Sequence, residues 1–292
     1  MIESKQTQRS ESQDVHPWDQ AQLARHPDRP CTADLVHLIC EDFFTLRGDR
    51  RYADNQAILG GLATFAERTV IIIGHQKGRG SEQRQVCNAG MAHPEGYRKA
   101  QRLMHHAEKF GFPVICLIDT PGAFPGLEAE QRGPAQAIAE CLACMVTLRV
   151  PTIAVVIGEG GSEGAMALSL ADRVLMLEHS IYTVASPEVT ASLLGHDSSR
   201  APQAAEIMQI TAPELLRLGV IDGIIPEPPG GAHLNHAGSA QFLSEYVHKF
   251  LLEIETTPIS DLVGQRQMKF RQPGQLHYVT RDLCMTFRPE QK

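Results

Sequence analysis

The chain has 292 residues, 42% of them apolar, which is enough for one large domain or two small ones around a sizeable core. Its 27 basic and 34 acidic residues leave a net charge of -7, which argues against nucleic acid as the main partner. No run approaches the roughly eighteen apolar residues of a membrane span, and Met1-Ile2-Glu3-Ser4-Lys5-Gln6 lacks a signal-peptide core, so no membrane contact and a cytoplasmic location are expected.

Residues 1–17 are polar and aperiodic and predict a disordered arm, ahead of one domain over 18–274 and a tail over 275–292. From Thr32 the spacing puts Leu35, Leu38, Ile39 and Phe43 on one face of an amphipathic helix, with Thr32 as its cap. A charged loop over 46–54 leads to the apolar runs 58–65 and 69–75, joined by Ala66-Glu67-Arg68 into an antiparallel hairpin. The basic loop Gln76-Lys77-Gly78-Arg79-Gly80 follows. Lys77 and Arg79 are suited equally to an anion, such as a coenzyme A phosphate or a carboxylate, and to plain solvation.

Pro94 and Glu95 suit the first turn of a helix running to Phe110. A buried strand over 114–118 then enters Asp119-Thr120-Pro121-Gly122-Ala123-Phe124-Pro125-Gly126, and a helix spans 134–148. Seven cysteines, an odd number set in apolar segments, read as reduced core residues and not a disulfide framework. Cys141-x-x-Cys144 has metal or redox spacing. It sits in a helical segment with no second pair and no nearby histidine, so packing is its expected role and no metal is expected in this chain.

The apolar run 152–157 enters Gly158-Glu159-Gly160-Gly161-Ser162-Glu163-Gly164-Ala165-Met166-Ala167, which predicts strand, tight turn and helix. Strands are expected over 172–177 and 180–185, and helices over 187–194 and 202–210. Thr211 and Glu214 form a capping box, Gly219 stops the helix that follows, and 220–226 reads as an edge strand ended by proline. A segment rich in proline and glycine precedes an amphipathic helix over 240–254, whereas 265–292 is basic, mixed and without a clear period.

Two glycine-containing turns after two buried strands point to one active-site edge. Glycine admits sharp bends and close approach, and a helix start leaves N–H groups unpaired, so such turns can hold a negatively charged oxygen. Close packing of helix on strand explains the same glycines equally well.

Several motifs in order carry a resemblance. Ala21-Gln22-Leu23-Ala24-Arg25-His26-Pro27-Asp28-Arg29-Pro30, Gly48-Asp49-Arg50, Tyr52-Ala53-Asp54, Gly74-His75-Gln76-Lys77-Gly78-Arg79, Pro94-Glu95-Gly96-Tyr97-Arg98-Lys99-Ala100, Ile118-Asp119-Thr120-Pro121-Gly122-Ala123 and Ile224-Ile225-Pro226-Glu227-Pro228 resemble the alpha subunits of bacterial acetyl-coenzyme A carboxylase carboxyltransferase. The resemblance implies an α/β fold of the crotonase type, a spiral of repeated strand-strand-helix units. It also implies transfer of a carboxyl group from carboxybiotin, borne on a separate biotin carboxyl carrier protein and charged by biotin carboxylase, to acetyl-CoA or a related acyl-CoA. A beta subunit with a zinc ribbon is the implied partner, in an assembly of two alpha and two beta chains.

That chemistry develops negative charge on the ureido oxygen of biotin and on a thioester enolate, and fixed backbone donors stabilise such oxyanions by about 3 kcal/mol each. On this reading Gly161, Glu163, Gly164, Gly122 and Ala123 are the catalytic candidates, and Lys77, Arg79, Tyr97, Arg98, Gly160, Ser162 and Pro187 the substrate-binding ones. Glu163 departs from the family pattern, which has two glycines after Ser162. At a position needing positive φ its side chain costs conformational freedom, and pointing inward its charge repels an oxyanion. Val189-Thr190 replaces a glycine-cysteine pair, and the basic stretch after Arg79 is diluted. Two alternatives stay open: a non-catalytic or regulatory alpha-like subunit, and a stand-alone crotonase-type acyl-CoA hydrolase or isomerase using Glu159 or Glu163.

Overall fold

Pro17, whose fixed φ and missing N–H suit a first turn, opens helix α1 (Pro17–Ala24) in a computed structural model that describes residues 15–195 and 197–272. The expected arm lies outside the described residues as far as 14, as does the whole tail 275–292. Helix α2 (Thr32–Ile39) is capped by Cys31, not Thr32: the Cys31 N–H and thiol both donate to Asp34, and the Thr32 hydroxyl donates to the carbonyl of His75. The helix stops short of Phe43, which opens strand β1 (Phe43–Thr45) and pairs with Ala63.

Strands β2 (Ile58–Phe65) and β3 (Arg68–His75) form the expected hairpin, and Ala66 and Glu67, with φ of 49° and 60°, make the tight turn that matches strand twist. Helix α3 (Gly80–Val86) buries no residue and so leaves no apolar period in the sequence. Helix α4 (Pro94–Phe110) ends at Gly111, left-handed at φ 73°. There follow β4 (Val114–Thr120), the short α5 (Leu127–Glu130), α6 (Pro134–Thr147), β5 (Thr152–Gly161), α7 (Ser162–Met166), β6 (Arg173–Leu177) and β7 (Ile181–Thr183). Helices α8 (Pro187–Leu193), α9 (Ala201–Met208) and α10 (Ala212–Arg217) lead to β8 (Gly223–Ile225), α11 (His236–Glu255) and α12 (Ile259–Arg271).

The strands lie in the order β1-β2-β3-β4-β5-β6-β8, antiparallel to β3 and parallel thereafter, with β7 pairing with the far end of β5. The α/β class is as expected, and strand, strand, helix recurs as β2-β3-α4 and β6-β7-α8. Alternation along each central strand divides the core. Ile71, Ile73, Cys116, Ile118, Ala154, Val156 and Met176 face α4 and α6, while Ile72, Ile115, Leu117, Val155, Ile157 and Leu175 face α2 and α11. Both faces are covered, so the strands read as unbroken apolar runs, and each buried aliphatic side chain contributes about 1.5–3 kcal/mol. Cys141 and Cys144 pack into the first of these clusters, the Cys141 thiol donating to the Ala167 carbonyl.

At the edge where the parallel strands begin, Asp172 accepts from the Thr152 N–H and hydroxyl, both at 2.8 Å, and from two nitrogens of Arg266. Arg266, 1% exposed, also donates to the carbonyls of Met145, Leu148 and Val150 and so pins α12 to the body. At the opposite edge, where these strands end, β4 and β5 run on into the glycine-rich segments.

Candidate active site

Strands β4 and β5 keep register as far as Ile118 opposite Val156, then shift so that Thr120 lies opposite Gly160. Asp119 sits in that irregularity and accepts the Glu159 N–H at 2.9 Å. Gly158 makes room for it, since a Cβ there would lie 2.4 Å from Asp119 Oδ1. A Cβ on Gly161 would lie 2.2 Å from the Pro121 carbonyl oxygen, and one on Gly164 would lie 2.7 Å from Gly122 C and 2.8 Å from Ala123 N. Gly161, Gly164, Gly122 and Ala123 are thus brought together as two main chains in close approach.

The expected tight turn over Gly158 to Gly161 is corrected. The strand continues to Gly161 because β7 pairs with its last residues, Gly160 opposite Tyr182 and Gly161 opposite Thr183. The bend falls on Ser162, at φ 53°, and Glu163 is not among the positive-φ residues, so the strain expected for its side chain is absent. Gly122 donates to Thr120 Oγ1 at 3.1 Å. Among the described residues the amides of Ala123, Glu163 and Gly164 donate to no protein acceptor.

The Glu163 carboxylate is exposed and accepts from the Ser162 hydroxyl. Both residues stand at a cavity of about 550 Å³ lined by Met166, Tyr182, Ile210, Leu215 and Val220. It is an apolar recess beside unpaired main-chain donors.

Beneath lies an ionic network. Lys77 Nζ is 2.7 Å from both Asp119 and Glu159, and Arg25 bridges Glu159 and Glu188, each at 2.6 Å. Burial alone would lower the basicity of Lys77, but the Asp119 and Glu159 carboxylates outweigh it and hold it above the ordinary lysine value. Burial likewise works against ionised Glu159, and Lys77 and Arg25 hold its pKa below the usual carboxylate range. The network joins β3, β4, β5, α1 and α8 directly under the paired backbones.

The other expected binding residues are dispersed. Lys77 is committed to this network, with most of its side chain buried. Arg79 pairs with Asp34 at 3.0 Å, and Arg98 with Asp49 at 2.8 Å. Tyr97 lies in the core, its hydroxyl without a partner and its pKa pushed up by burial, because its position on α4 faces the sheet; contact with substrate is corrected to packing. Pro187 is buried in the first turn of α8, where Ser186 caps the helix. Gly160 packs its backbone on the Tyr182 ring.

Sequence reasoning missed Asp119, Arg25 and Glu188 as parts of the site, and also His75. Fully buried, with neither ring nitrogen partnered, His75 is held neutral, its pKa pulled down to about 3 by burial and by the charge of Lys77. The available signal was position: Asp119 and His75 each stand where an apolar run ends.

Large apolar side chains are exposed on the segments that follow β4 and β7: Val184 is 85% exposed, Leu193 78% and Leu127 75%, with Val189 and Leu194 about half exposed. Among the described residues no helix is long and apolar enough to cross a membrane, and no cluster of three histidine, cysteine or acidic side chains has a metal-binding arrangement.

Residues 2–274 match the family profile described as acetyl co-enzyme A carboxylase carboxyltransferase-like. The chain is 52% identical over 277 residues to the acetyl-coenzyme A carboxylase carboxyl transferase subunit alpha of Heliobacterium modesticaldum, covering 95% of this chain and 82% of that one. It is 51% identical over 253 residues to the corresponding subunit of Azoarcus sp., covering 87% and 79%. Among solved structures it shares its fold with a Pseudomonas malonate decarboxylase hetero-tetramer in complex with coenzyme A, at TM-score 0.63 and 15% identity over 80% of this chain and 91% of that one. Transcarboxylase 12S is similar at TM-score 0.58 and 20% identity, over 73% of this chain and 40% of that one.

Proposed function

We propose, because this chain belongs to the acetyl co-enzyme A carboxylase carboxyltransferase-like family, that it works as an alpha-type carboxyltransferase subunit, moving a carboxyl group from biotin on a separate carrier protein to acetyl-CoA or a related acyl-CoA. The observation that carries this reading is the set of unpaired amides at Ala123, Glu163 and Gly164, on two backbones packed together beside an apolar cavity. Carboxybiotin, when its carrier presents it, supplies the carboxyl group. Met166, Tyr182, Ile210, Leu215 and Val220 fit its apolar ring system and keep water from it. The three amides offer fixed donors to oxygen charge as it develops, each worth about 3 kcal/mol. Lys77, Asp119 and Glu159 hold both backbones in place, so the donors need not reorganise during the reaction. No titrating side chain is required at the reacting atoms, which accords with a buried neutral His75 and an ion-paired Glu159.

The exposed apolar residues after β7 and on α8 support a beta-subunit surface at this edge, since exposed apolar surface of this kind marks interaction sites. A zinc-ribbon beta chain, an assembly of two alpha and two beta subunits, a biotin carboxyl carrier protein, biotin carboxylase and a cytoplasmic location complete the reading. A stand-alone hydrolase or isomerase is disfavoured, because Lys77 and Arg25 occupy Glu159 and leave Glu163 as the one free carboxylate of the two.

Reconstitution with a cognate beta subunit, biotinylated carrier and a panel of acyl-CoA substrates is expected to give a carboxylated product. Absence of transfer to every substrate would overturn the proposal. Glu163→Gly separates the readings within the family: lower activity marks Glu163 as part of a working site, whereas activity restored to an inactive parent marks a non-catalytic subunit.

A further inference from the structure

A second cavity lies on the flank of α4, sharing no lining residue with the recess beside the unpaired amides. Arg50 and Arg51 from the loop after β1, with Arg98 and Arg102 from α4, line a cavity of about 540 Å³ that His105 and Glu140 also face. Asp49, with no exposed side-chain surface, shapes the loop: one carboxylate oxygen accepts from the N–H groups of Arg51, Tyr52 and Ala53 and the other from Arg98 Nε. That turn holds Arg50 at φ 67°, where a side chain is unfavourable by roughly 1–2 kcal/mol. Arg102 staples the loop to α4 through the carbonyls of Leu46, Arg47 and Gly48.

Arg98 is neutralised by Asp49, but among the described residues Arg50, Arg51 and Arg102 form no salt bridge. Burial and the charge of Arg50 together lower the basicity of Arg102. Three guanidinium groups without a carboxylate partner are therefore gathered in one recess of a chain whose net charge is -7, Arg102 and Arg50 spending only part of their donors on main-chain carbonyls. Like charges lining one recess repel, and a multivalent anion relieves the repulsion while taking hydrogen bonds from the guanidinium nitrogens that the main chain leaves free.

We propose that this recess binds a small organic polyphosphate, with its phosphates against Arg50, Arg51 and Arg102. Its volume falls within the roughly 300–1,000 Å³ of small-molecule sites, and the arginines converge on a hollow in place of forming the stripe that tracks a nucleic-acid backbone. A nucleoside diphosphate and the phosphoadenosine end of coenzyme A share the required chemistry.

Titration calorimetry on the full chain with inorganic pyrophosphate, ADP and coenzyme A tests this directly. Pyrophosphate and at least one nucleotide are expected to bind with Kd below about 1 mM, more weakly as salt rises. The Arg50→Gly, Arg51→Ala double variant, in which glycine suits the left-handed turn, is expected to weaken binding at least about tenfold with the unliganded Tm not lowered. ADP tighter than coenzyme A assigns the recess to a nucleotide, and the reverse assigns it to coenzyme A. Absence of binding to the native chain, or equal binding by the variant, overturns the site.

Discussion

A fully buried ionic cluster and a partly buried one sit at opposite edges of the same sheet, and they do different work. At the edge where the parallel strands begin, Arg266 makes five hydrogen bonds with its five N–H donors, two to Asp172 and three to main-chain carbonyls. It is a closed account of one cation and one anion, remote from the unpaired amides. At the edge where the strands end, two cations, Lys77 and Arg25, are shared among Asp119, Glu159 and Glu188, and the cluster opens towards a bend with unpaired donors and an apolar cavity. The first cluster fastens a helix. The second holds two main chains at a fixed separation where a reaction can use them, so damage to the first should appear as lost stability and damage to the second as lost turnover.

The largest expected effect is at the closed cluster. Arg266→Met leaves Asp172 buried without its cation and is expected to cost about 3–5 kcal/mol, lowering Tm by roughly 10 °C in thermal unfolding. Specific activity below the transition should be retained, and a variant that stays stable but loses turnover would erase the distinction. Lys77→Met comes next: Glu159 keeps Arg25 and Asp119 keeps the Glu159 N–H, so its cost in stability should be smaller than that of Arg266→Met and its kinetic effect the larger. Asp119 and Glu159 then repel each other beneath the site, and transfer by the reconstituted enzyme should fall by about a hundredfold, the size of losing one oxyanion donor. A loss of stability as large as that of Arg266→Met, with turnover intact, would break the contrast.

Acid gives a smaller and graded effect. Glu159, Asp49 and Glu227 are all held below the ordinary carboxylate range, each against its own burial, by Lys77 and Arg25, by backbone donors and Arg98, and by Arg29 respectively. A depressed folded pKa contributes stability that is fully present above the unfolded value, about 4.3 for glutamate, and is lost as pH falls through the folded value. Urea midpoints should therefore begin to fall near pH 6.5, where the unfolded chain protonates the imidazole that His75 keeps neutral in the fold, and fall more steeply below about pH 5 as these carboxylates add to the loss. Midpoints that rise on acidification would contradict these assignments.

The fold was legible where local chemistry and packing agree. Proline stands in the first turn of α1, α4, α6, α8, α9 and α10, the Thr211 and Glu214 capping box forms as read, and the strands buried on both faces announce themselves as apolar runs. It was illegible where a segment's role lies in a distant partner. Helix α12 has little apolar period because a buried arginine anchors it, and α3 buries nothing. At the site, glycine was read as a bend although Gly158 and Gly161 are extended, and what demands glycine there is the Asp119 carboxylate and the Pro121 carbonyl across the gap. The ionic network joins residues up to 163 positions apart, which no periodicity records.

The account rests on two backbones held close enough to offer their free amides to one developing charge. Gly164→Ala tests it most directly, because its Cβ would enter the 2.7 Å gap to Gly122 and force the two main chains apart without altering any charge. Carboxyl transfer measured with beta subunit and biotinylated carrier, beside thermal unfolding, should fall about a hundredfold for a Tm change of only a few degrees. Turnover equal to that of the native chain would contradict the claim.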